Sequence, residues 1–480
     1  MLFNSFAFLI FLLLVFGIYW ILVKYQALFG KLVLLISSYI FYGWWDWRFL
    51  ILIIISSATD FIIGKYLFAS SGIRTKRWLL FLSVFINIGI LLFFKYFNFF
   101  IDSFQSLTGI DADKGWSTLH IILPVGISFY TFQTLSYTID IYRGKIKPTQ
   151  SVITFFTFVA FFPQLVAGPI ERAQRLIPQF EKLAAFSYRQ ASSGLKLMLW
   201  GFFKKMVIAD QLATLVDAVY SQPGQYNGLG IVFATFLFGY QIYCDFSGYS
   251  DIAIGTARLF GVELMTNFKV PYLSTSFQEF WRRWHISLST WFRDYVYIPL
   301  GGNRKGEIFR IRNILITFLV SGLWHGANVT FIIWGAFHGL LYIIEKSAAS
   351  VLLLSEKLKV YLGWISTFIL VNFAWLFFRA ESWQQIKILL NKVFLNDSVA
   401  TNGFKELLFE NGNFTAPGRM LIFMFPLFLL AEFLMKEKSF DEFVSNLSRP
   451  LEWGIFYLLI LSILFFGVLH SAPQFIYFQF

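Results

Sequence analysis

Two histidines, His285 and His325, lie in contexts where an imidazole could move a proton. His325 follows one long apolar run and precedes another, in the stretch SGLWHGANVT (321–330). If the helix begins at Asn313, the ring lies about 18 Å along it, near the middle of a membrane. An ionisable group there is costly, so His325 is a functional candidate, with a structural histidine bonded to a carbonyl as the alternative. Burial disfavours the charged ring, and a neutral imidazole is suited to general-base catalysis.

His285 lies in a charged and aromatic element, FWRRWHISLS (280–289). It could serve the site, or it could be an interfacial histidine among tryptophans. The same region is rich in cations that would suit the phosphates of a nucleotide-bearing donor. The alternative is a positively charged cytoplasmic loop that contacts lipid headgroups. These cations are Arg282, Arg283, Arg293, Arg304, Lys305, Arg310 and Arg312.

Other polar side chains near the two histidines could assist them. Asn328 would share a helix face with His325 and could donate to a developing oxyanion, although an interhelical hydrogen bond is the alternative. Trp324 is a second candidate for oxyanion stabilisation or substrate positioning. His338 would lie on a different helix face and is predicted to be structural. We predict interfacial positions for His120 and His470, and we predict that Asp245 and Asp251 are buried and paired.

The composition predicts a polytopic membrane protein. Of 480 residues, 57% are hydrophobic and only 14% are charged, whereas soluble domains carry about a quarter charged residues. Lys and Arg in cytoplasmic loops account for the net charge of +12, so no nucleic-acid partner is predicted. A single cysteine, Cys244, excludes an internal disulfide framework and a cysteine-based zinc site, and no metal site is predicted.

The elements that must position these residues are apolar helices. The hydropathy pattern predicts an all-α protein with about eleven membrane passes in a single domain, residues 1–480, and the charges of its first loops place the N-terminus outside. An extramembrane loop is predicted at about 379–418. Two segments rich in proline or charge, 161–182 and 276–312, are predicted to be re-entrant or amphipathic elements that shape a central chamber.

Four stretches carry a resemblance to a known family. They are FFPQLVAGPIERAQRLIPQF, YCDFSGYSDIAIGTARLFG, FWRRWHISLSTWFRDYVYIPLGGNR and GLWHGANVTFIIWGAFHG. Together they resemble the membrane-bound O-acyltransferase family, in its bacterial alginate O-acetylase-like branch, with a signature core of about 120–345. A more distant likeness is to the enzyme that exports D-alanine onto teichoic acids. The resemblance implies a helix bundle around a tunnel, in which a cytoplasmic acyl thioester meets an extracytoplasmic acceptor.

The resemblance also implies roles for particular residues and partners. It makes His285 and His325 the two signature histidines, with His325 catalytic. It implies acetyl-CoA as a co-substrate with no bound cofactor, and an SGNH-type acetyltransferase partner that passes acetyl groups to an exported polysaccharide outside a bacterial inner membrane. For the donor phosphates, the candidates are Arg282, Arg283, Arg304 and Lys305.

Two other functions stay open at this stage. One is an acyltransferase of the same family whose acceptor is a lipid or a protein. The other is a transporter in which His325 relays protons, although the sequence lacks the paired broken helices that many transporters show. The final acceptor, the acyl chain and the oligomeric state are not determined by these motifs.

Overall fold

The computed structural model describes residues 1–108, 121–166, 168–348, 355–395, 403–410, 413–468 and 475–476. Within these residues the chain is helical apart from loops and one short antiparallel ribbon, which confirms the predicted all-α class. The first helices are α1 Phe6–Leu22, α2 Ala27–Asp46, α3 Leu50–Ala69, α4 Ile73–Leu91, α5 Phe97–Thr108, α6 Ile127–Tyr142, α7 Val152–Ala160, α8 Phe162–Leu165, α9 Ala173–Glu181, α10 Tyr188–Phe202, α11 Asp210–Ser221 and α12 Gly228–Leu259.

The second half begins with short helices and ends with long ones. Its elements are α13 Phe277–Arg283, α14 Ile286–Phe292, α15 Glu307–His325, α16 Val329–Ala348, α17 Glu356–Arg379, α18 Trp383–Phe394, α19 Gly403–Leu408, β1 Phe409–Glu410, β2 Asn413–Phe414, α20 Ala416–Met435, α21 Phe440–Ser445 and α22 Arg449–Phe466. Three π-helical segments adjoin these helices, at Leu92–Tyr96, Phe203–Ala209 and Arg293–Tyr297.

Six helical stretches among the described residues are long and apolar enough to cross a membrane. They are Ala27–Ala69, Ile73–Gln105, Gly228–Leu259, Lys357–Arg379, Ala416–Met435 and Arg449–Phe466. Three shorter apolar helices, Phe6–Leu22, Val152–Leu165 and Val329–Glu345, accompany them. The chain is therefore a multi-pass membrane protein, while the count of about eleven passes stays a prediction.

The chain divides into two compact units. The first comprises residues 1–195 and 253–265, and the second comprises residues 196–252 and 266–480. The prediction of a single domain is not tested by this division.

Buried polar side chains join α3 to α4 in the first unit. The Ser83 hydroxyl donates to Asp60 Oδ1 over 2.5 Å, and Asn87 Nδ2 donates to Asp60 Oδ2 over 2.7 Å. The Ser56 hydroxyl donates to Asn87 Oδ1 over 2.6 Å. Because lipid offers no hydrogen-bond partners, polar groups within apolar helices must satisfy one another. This network fixes the register of the two helices.

The apolar run before His325 and the apolar run after it form two separate helices. Helix α15 begins at Glu307 and ends at His325, and α16 begins at Val329. Gly326 is extended, and a Cβ there would overlap the Phe331 ring, so the chain turns where a side chain could not fit. His325 is therefore the last residue of its helix, and its predicted depth near the middle of a membrane stays a prediction.

Helices α15 and α16 pack closely through glycines. A Cβ on Gly322 would overlap the Phe331 carbonyl, and a Cβ on Gly335 would overlap the Phe318 carbonyl. Small residues of this kind let helix backbones approach each other. The approach brings the first turns of α16 against the end of α15, where His325 lies.

The segments predicted to be irregular are built from short helices. Residues 161–182 form α8 and α9, and residues 276–312 contain α13 and α14, which have seven residues each, before α15 begins. Within 379–418, the described residues form α18, α19 and a ribbon that pairs Phe409 with Phe414. Re-entrant or amphipathic elements were predicted for the first two segments and an extramembrane loop with short helices for the third, and their placement relative to a membrane stays a prediction.

Candidate functional site

The backbone at His285 is strained. The residue precedes α14 with φ 42° and ψ 55°, in the left-handed region that a non-glycine residue rarely adopts. Such a conformation costs on the order of 1–2 kcal/mol and persists only where the surroundings impose it. Here the Ile286 N–H donates to the Asn267 carbonyl over 2.9 Å, and the Lys269 N–H donates to the Arg283 carbonyl over 3.0 Å. These bonds hold the turn against residues 267–269.

The Asn267 side chain is a buried acceptor for the same turn. Its Oδ1 lies 3.2 Å from the Ser287 backbone nitrogen, 2.9 Å from the Ser287 hydroxyl and 3.1 Å from His285 Nδ1. On its other side, Asn267 Nδ2 donates to the Ser250 hydroxyl over 3.3 Å. One amide therefore ties together α12, the turn and the start of α14.

This network defines which nitrogen of His285 carries the proton. A backbone N–H can only donate, so the Asn267 atom that faces the Ser287 N–H must be the amide oxygen. The same oxygen faces His285 Nδ1, which must then be the N–H donor in the neutral ring. His285 Nε2 is consequently the ring atom that can accept a hydrogen bond.

The ring of His285 is buried among aromatic side chains. Phe246 packs edge-on against it at 4.5 Å between centroids, and Phe268 stacks at 6.3 Å. Burial lowers the pKa of His285 well below its usual range, and the electrostatic interaction with His325 lowers this pKa further. The two histidines are therefore close enough to interact electrostatically, and His285 is neutral at pH 7.

His325 is buried at the end of α15. Its ring meets Trp334 edge-on at 5.2 Å and Phe378 at 5.4 Å between centroids. These aromatic contacts come from α16 and α17, and they exclude solvent from the imidazole, which is 5% exposed. The structure thus brings the two sequence-predicted histidines into one buried region of the second unit.

Trp334, which contacts His325, and two side chains packed against Trp334 have polar nitrogens without hydrogen-bond partners among the described residues. They are Nε1 of Trp334, Nε1 of Trp281, and both ring nitrogens of His338. Their rings contact one another, at 4.8 Å between Trp334 and His338 and 5.1 Å between Trp281 and His338. Buried polar groups are nearly always hydrogen-bonded, so these atoms could bind a polar group of a ligand. The structural role predicted for His338 stays a prediction.

Asn328 does not share a helix face with His325, so that expectation is wrong. It lies in the turn after α15, where its Nδ2 donates to the Glu381 carbonyl over 2.8 Å and its Oδ1 accepts from the Thr330 N–H over 3.1 Å. Its amide is used to hold the turn. Trp324 is half-buried beside His325. The oxyanion roles of Asn328 and Trp324 stay predictions.

The predicted phosphate-binding cations differ in their surroundings. Arg283 makes ion pairs with Glu279 at 2.7 Å and Glu437 at 2.8 Å, so its charge is already matched. Arg282, Arg304 and Lys305 are exposed. The remaining cations of the cluster bond to nearby groups: Arg293 to Asp294, Arg310 to Glu307, and Arg312 to Asn313 and the Leu300 carbonyl. The phosphate-binding role stays a prediction for all four candidates.

The second unit also contains a buried ion-pair network. Lys205 lies 2.8 Å from both Asp210 and Asp245, and the Ile476 N–H donates to Asp245 over 2.8 Å. The adjacent Lys204 pairs with Asp251 at 2.6 Å. Asp245 is buried and paired, as predicted. Asp251 is paired, as predicted, but one-fifth of its side chain is exposed.

Sequence reasoning missed Asn267, Ser287, Ser250 and Trp334. No spacing rule links position 267 to position 285, because loops and the helix α13 separate them. His120 and His470 lie outside the described residues. Among the described residues, no group of three His, Cys, Asp or Glu side chains could hold a metal ion.

Comparisons with known proteins agree with this description. Residues 146–382 match the membrane-bound O-acyltransferase family. The chain is 45% identical over 360 residues to the probable alginate O-acetylase AlgI of Pseudomonas syringae pv. tomato, which covers 73% of this chain and 67% of that protein. It is 43% identical over 391 residues to the probable alginate O-acetylase AlgI of Pseudomonas aeruginosa, with coverages of 80% and 73%. It is 35% identical over 408 residues to the peptidoglycan O-acetyltransferase of Helicobacter pylori, with coverages of 79% and 77%.

The fold and site define a class, a multi-pass α-helical membrane protein with two interacting, buried histidines. The chain belongs to the membrane-bound O-acyltransferase family, and it is an O-acyltransferase. This membership favours the enzyme over the transporter interpretation of His325.

Proposed function

We propose that this enzyme takes an acetyl group from acetyl-CoA on the cytoplasmic side of a bacterial inner membrane and delivers it for O-acetylation of an exported or cell-surface polysaccharide. The relatives named for alginate and peptidoglycan O-acetylation support an acetyl group and a glycan acceptor. Its N-terminus would lie outside. An SGNH-type acetyltransferase outside the membrane would be the partner that passes the acetyl group on.

The observation that carries the proposal is the burial of His325 beside His285. In the proposed reaction, His325 accepts the proton of the acceptor hydroxyl while the hydroxyl oxygen attacks the thioester carbonyl. The new C–O bond forms, the C–S bond breaks, and the proton passes from the imidazolium to the departing thiolate. Because the ring is buried, water is kept away from the reacting groups, which suppresses thioester hydrolysis.

The cytoplasmic donor would be held by cations of the 276–312 segment. Arg282, Arg304 and Lys305 are the better candidates, because they are exposed, whereas Arg283 is paired with two glutamates. An arginine can bind a phosphate through two parallel hydrogen bonds. Charge-removing variants of the three should raise the KM for acetyl-CoA with little change in kcat.

The test of the proposal is acetyl transfer by purified protein. In His325→Gln, a side chain of similar size retains polarity but cannot shuttle a proton, so transfer from labelled acetyl-CoA should fall by about 10²-fold or more. Thermal unfolding of the variant in the same detergent checks that the loss is catalytic. Wild-type transfer rates in folded His325→Gln would contradict the proposal.

The acceptor is tested separately by offering alginate, peptidoglycan fragments, a lipid alcohol and a candidate SGNH-type protein. Labelled product on a glycan or on that protein is expected. Product confined to the lipid would contradict the polysaccharide pathway while leaving the acyltransferase chemistry intact.

A further inference from the structure

We infer that Asn267 is a positioning residue that fixes His285 as the Nδ1–H tautomer, so that His285 serves the reaction as a hydrogen-bond acceptor through Nε2. The inference rests on the proposed function for its catalytic part. Its structural part, the position of one proton, stands on the hydrogen-bond geometry alone.

The first step of the argument is the identity of the shared acceptor. Asn267 Oδ1 receives the Ser287 N–H at 3.2 Å, and no amide flip is compatible with this bond, because an Asn267 NH₂ group there would face a second donor. His285 Nδ1 lies 3.1 Å from the same oxygen and must supply a proton to it. The ring is thereby fixed both in orientation and in tautomer.

The second step is the rigidity of the anchor. Asn267 is 1% exposed, and its own amide is held by the Ser250 hydroxyl. Its carbonyl also receives the Ile286 N–H, so side chain and main chain of one residue hold both ends of His285. Asn267 therefore holds the left-handed backbone of His285, and the ring cannot turn without breaking the hydrogen bond between Nδ1 and Asn267 Oδ1.

The third step is the chemical consequence. A neutral imidazole has one N–H, and that N–H is committed to Asn267, so Nε2 has no proton to give to a developing oxyanion. Nε2 can instead accept a hydrogen bond from an N–H or O–H group of a bound substrate other than the attacking hydroxyl, whose proton goes to His325. His285 would then orient a reacting group beside the base, and oxyanion stabilisation falls to another donor.

A direct test reads the proton without any assay of activity. In protein labelled with ¹⁵N-histidine, magic-angle-spinning NMR distinguishes an Nδ1–H from an Nε2–H imidazole by the nitrogen shifts, and His285→Gln identifies which signals belong to His285. We expect a neutral Nδ1–H ring at pH 7. An Nε2–H ring, or a ring protonated at both nitrogens, would overturn the inference without bearing on whether the protein is an acetyltransferase.

Kinetics of two variants test the role in catalysis. Asn267→Asp keeps the acceptor and places a negative charge beside Nδ1–H, so the acidic limb of the kcat profile should move to higher pH by a unit or more. Asn267→Ala removes the acceptor, so kcat should fall at least 10-fold while the KM for acetyl-CoA changes less than twofold. Partial rescue of kcat is expected in Asn267→Asp relative to Asn267→Ala.

The matched control is Asn446, an exposed asparagine whose Nδ2 donates to the Glu442 carbonyl. Asn446→Asp and Asn446→Ala should leave the pH profile and kcat at wild-type values. Both Asn267 variants could reduce the yield of folded protein while the pH profile and the kcat per folded molecule stay at wild-type values. That result would refute the positioning role. Absence of any acetyl transfer in the wild type would instead refute the proposed function and leave the NMR result standing.

Discussion

Replacing Lys205 by Met should destabilise the second unit more than the loss of any exposed ion pair would. Lys205 is 1% exposed and lies 2.8 Å from the carboxylates of both Asp210 and Asp245. Removing one partner of a buried ion pair costs about 3–5 kcal/mol, because the remaining charge stays desolvated without compensation. Here two carboxylates lose their counterion, and they also repel each other.

The size of the expected destabilisation depends on the interactions that each carboxylate keeps in Lys205→Met. Asp245 keeps the hydrogen bond from the Ile476 N–H, and one of the two carboxylates can take up a proton, which relieves the repulsion. We therefore expect a decrease of about 3–5 kcal/mol in the free energy of unfolding, not twice that amount. The triple variant Lys205→Met, Asp210→Asn, Asp245→Asn removes all three charges and should recover most of the loss.

The measurement is unfolding in mixed detergent micelles, followed by tryptophan fluorescence and circular dichroism. Lys196→Met is the matched control, since Lys196 lies in α10, directly before the π-helical segment that contains Lys205, and pairs with Glu452 at 2.6 Å but keeps about one-fifth of its side chain exposed. Because water still reaches this pair, its loss should cost less than the loss of Lys205. If Lys205→Met costs no more than Lys196→Met, the reasoning about the buried network is refuted.

Three further predictions concern the site and the packing around it. Trp334→Phe keeps the ring contact with His325 but removes a buried N–H that has no acceptor among the described residues, so kcat should fall by about 10²-fold if that N–H stabilises the oxyanion. Trp375→Phe is the control, because the Trp375 N–H already donates to a tyrosine hydroxyl at 3.0 Å. Equal losses of kcat in the two variants would argue against an oxyanion role for the Trp334 N–H. Burial raises the pKa of Glu171 to about 7, so between pH 4.5 and 7 the folded state holds a proton that the unfolded state releases. The free energy of unfolding should therefore fall as the pH rises across that range, by at most about 3 kcal/mol. Glu171→Gln should flatten this dependence of the free energy of unfolding on pH. Gly335→Ala places a Cβ against a backbone carbonyl of α15 and should lower the unfolding midpoint, whereas Gly454→Ala, with open space around it, should not; equal midpoints would contradict the close packing of α15 and α16.

Several features could be predicted from the sequence because they depend on local patterns. Long apolar runs require helices, since lipid leaves no partner for an unpaired backbone group. The motifs around His285 and His325 predicted both histidines, and the structure brings these residues, 40 positions apart in sequence, into one buried region. The prolines and charges of 161–182 and 276–312 indicated that neither segment forms one long apolar helix.

Other features were decided by packing contacts that the helix pattern of the sequence does not show. The helix pattern continued through His325, and only the packing of the Phe331 ring on Gly326 shows that the helix ends there. The same packing removed Asn328 from the face of His325 and committed its amide to the Glu381 carbonyl.

The sequence by itself determined the class of this protein, its helices and the two histidines that its chemistry requires. Only the tertiary structure decided which nitrogen of His285 carries the proton. That choice depends on Asn267, and a hydrogen bond between residues 18 positions apart depends on distances of a few tenths of an ångström. An imidazole nitrogen can donate or accept a hydrogen bond, and the group that faces each nitrogen determines which of the two it does.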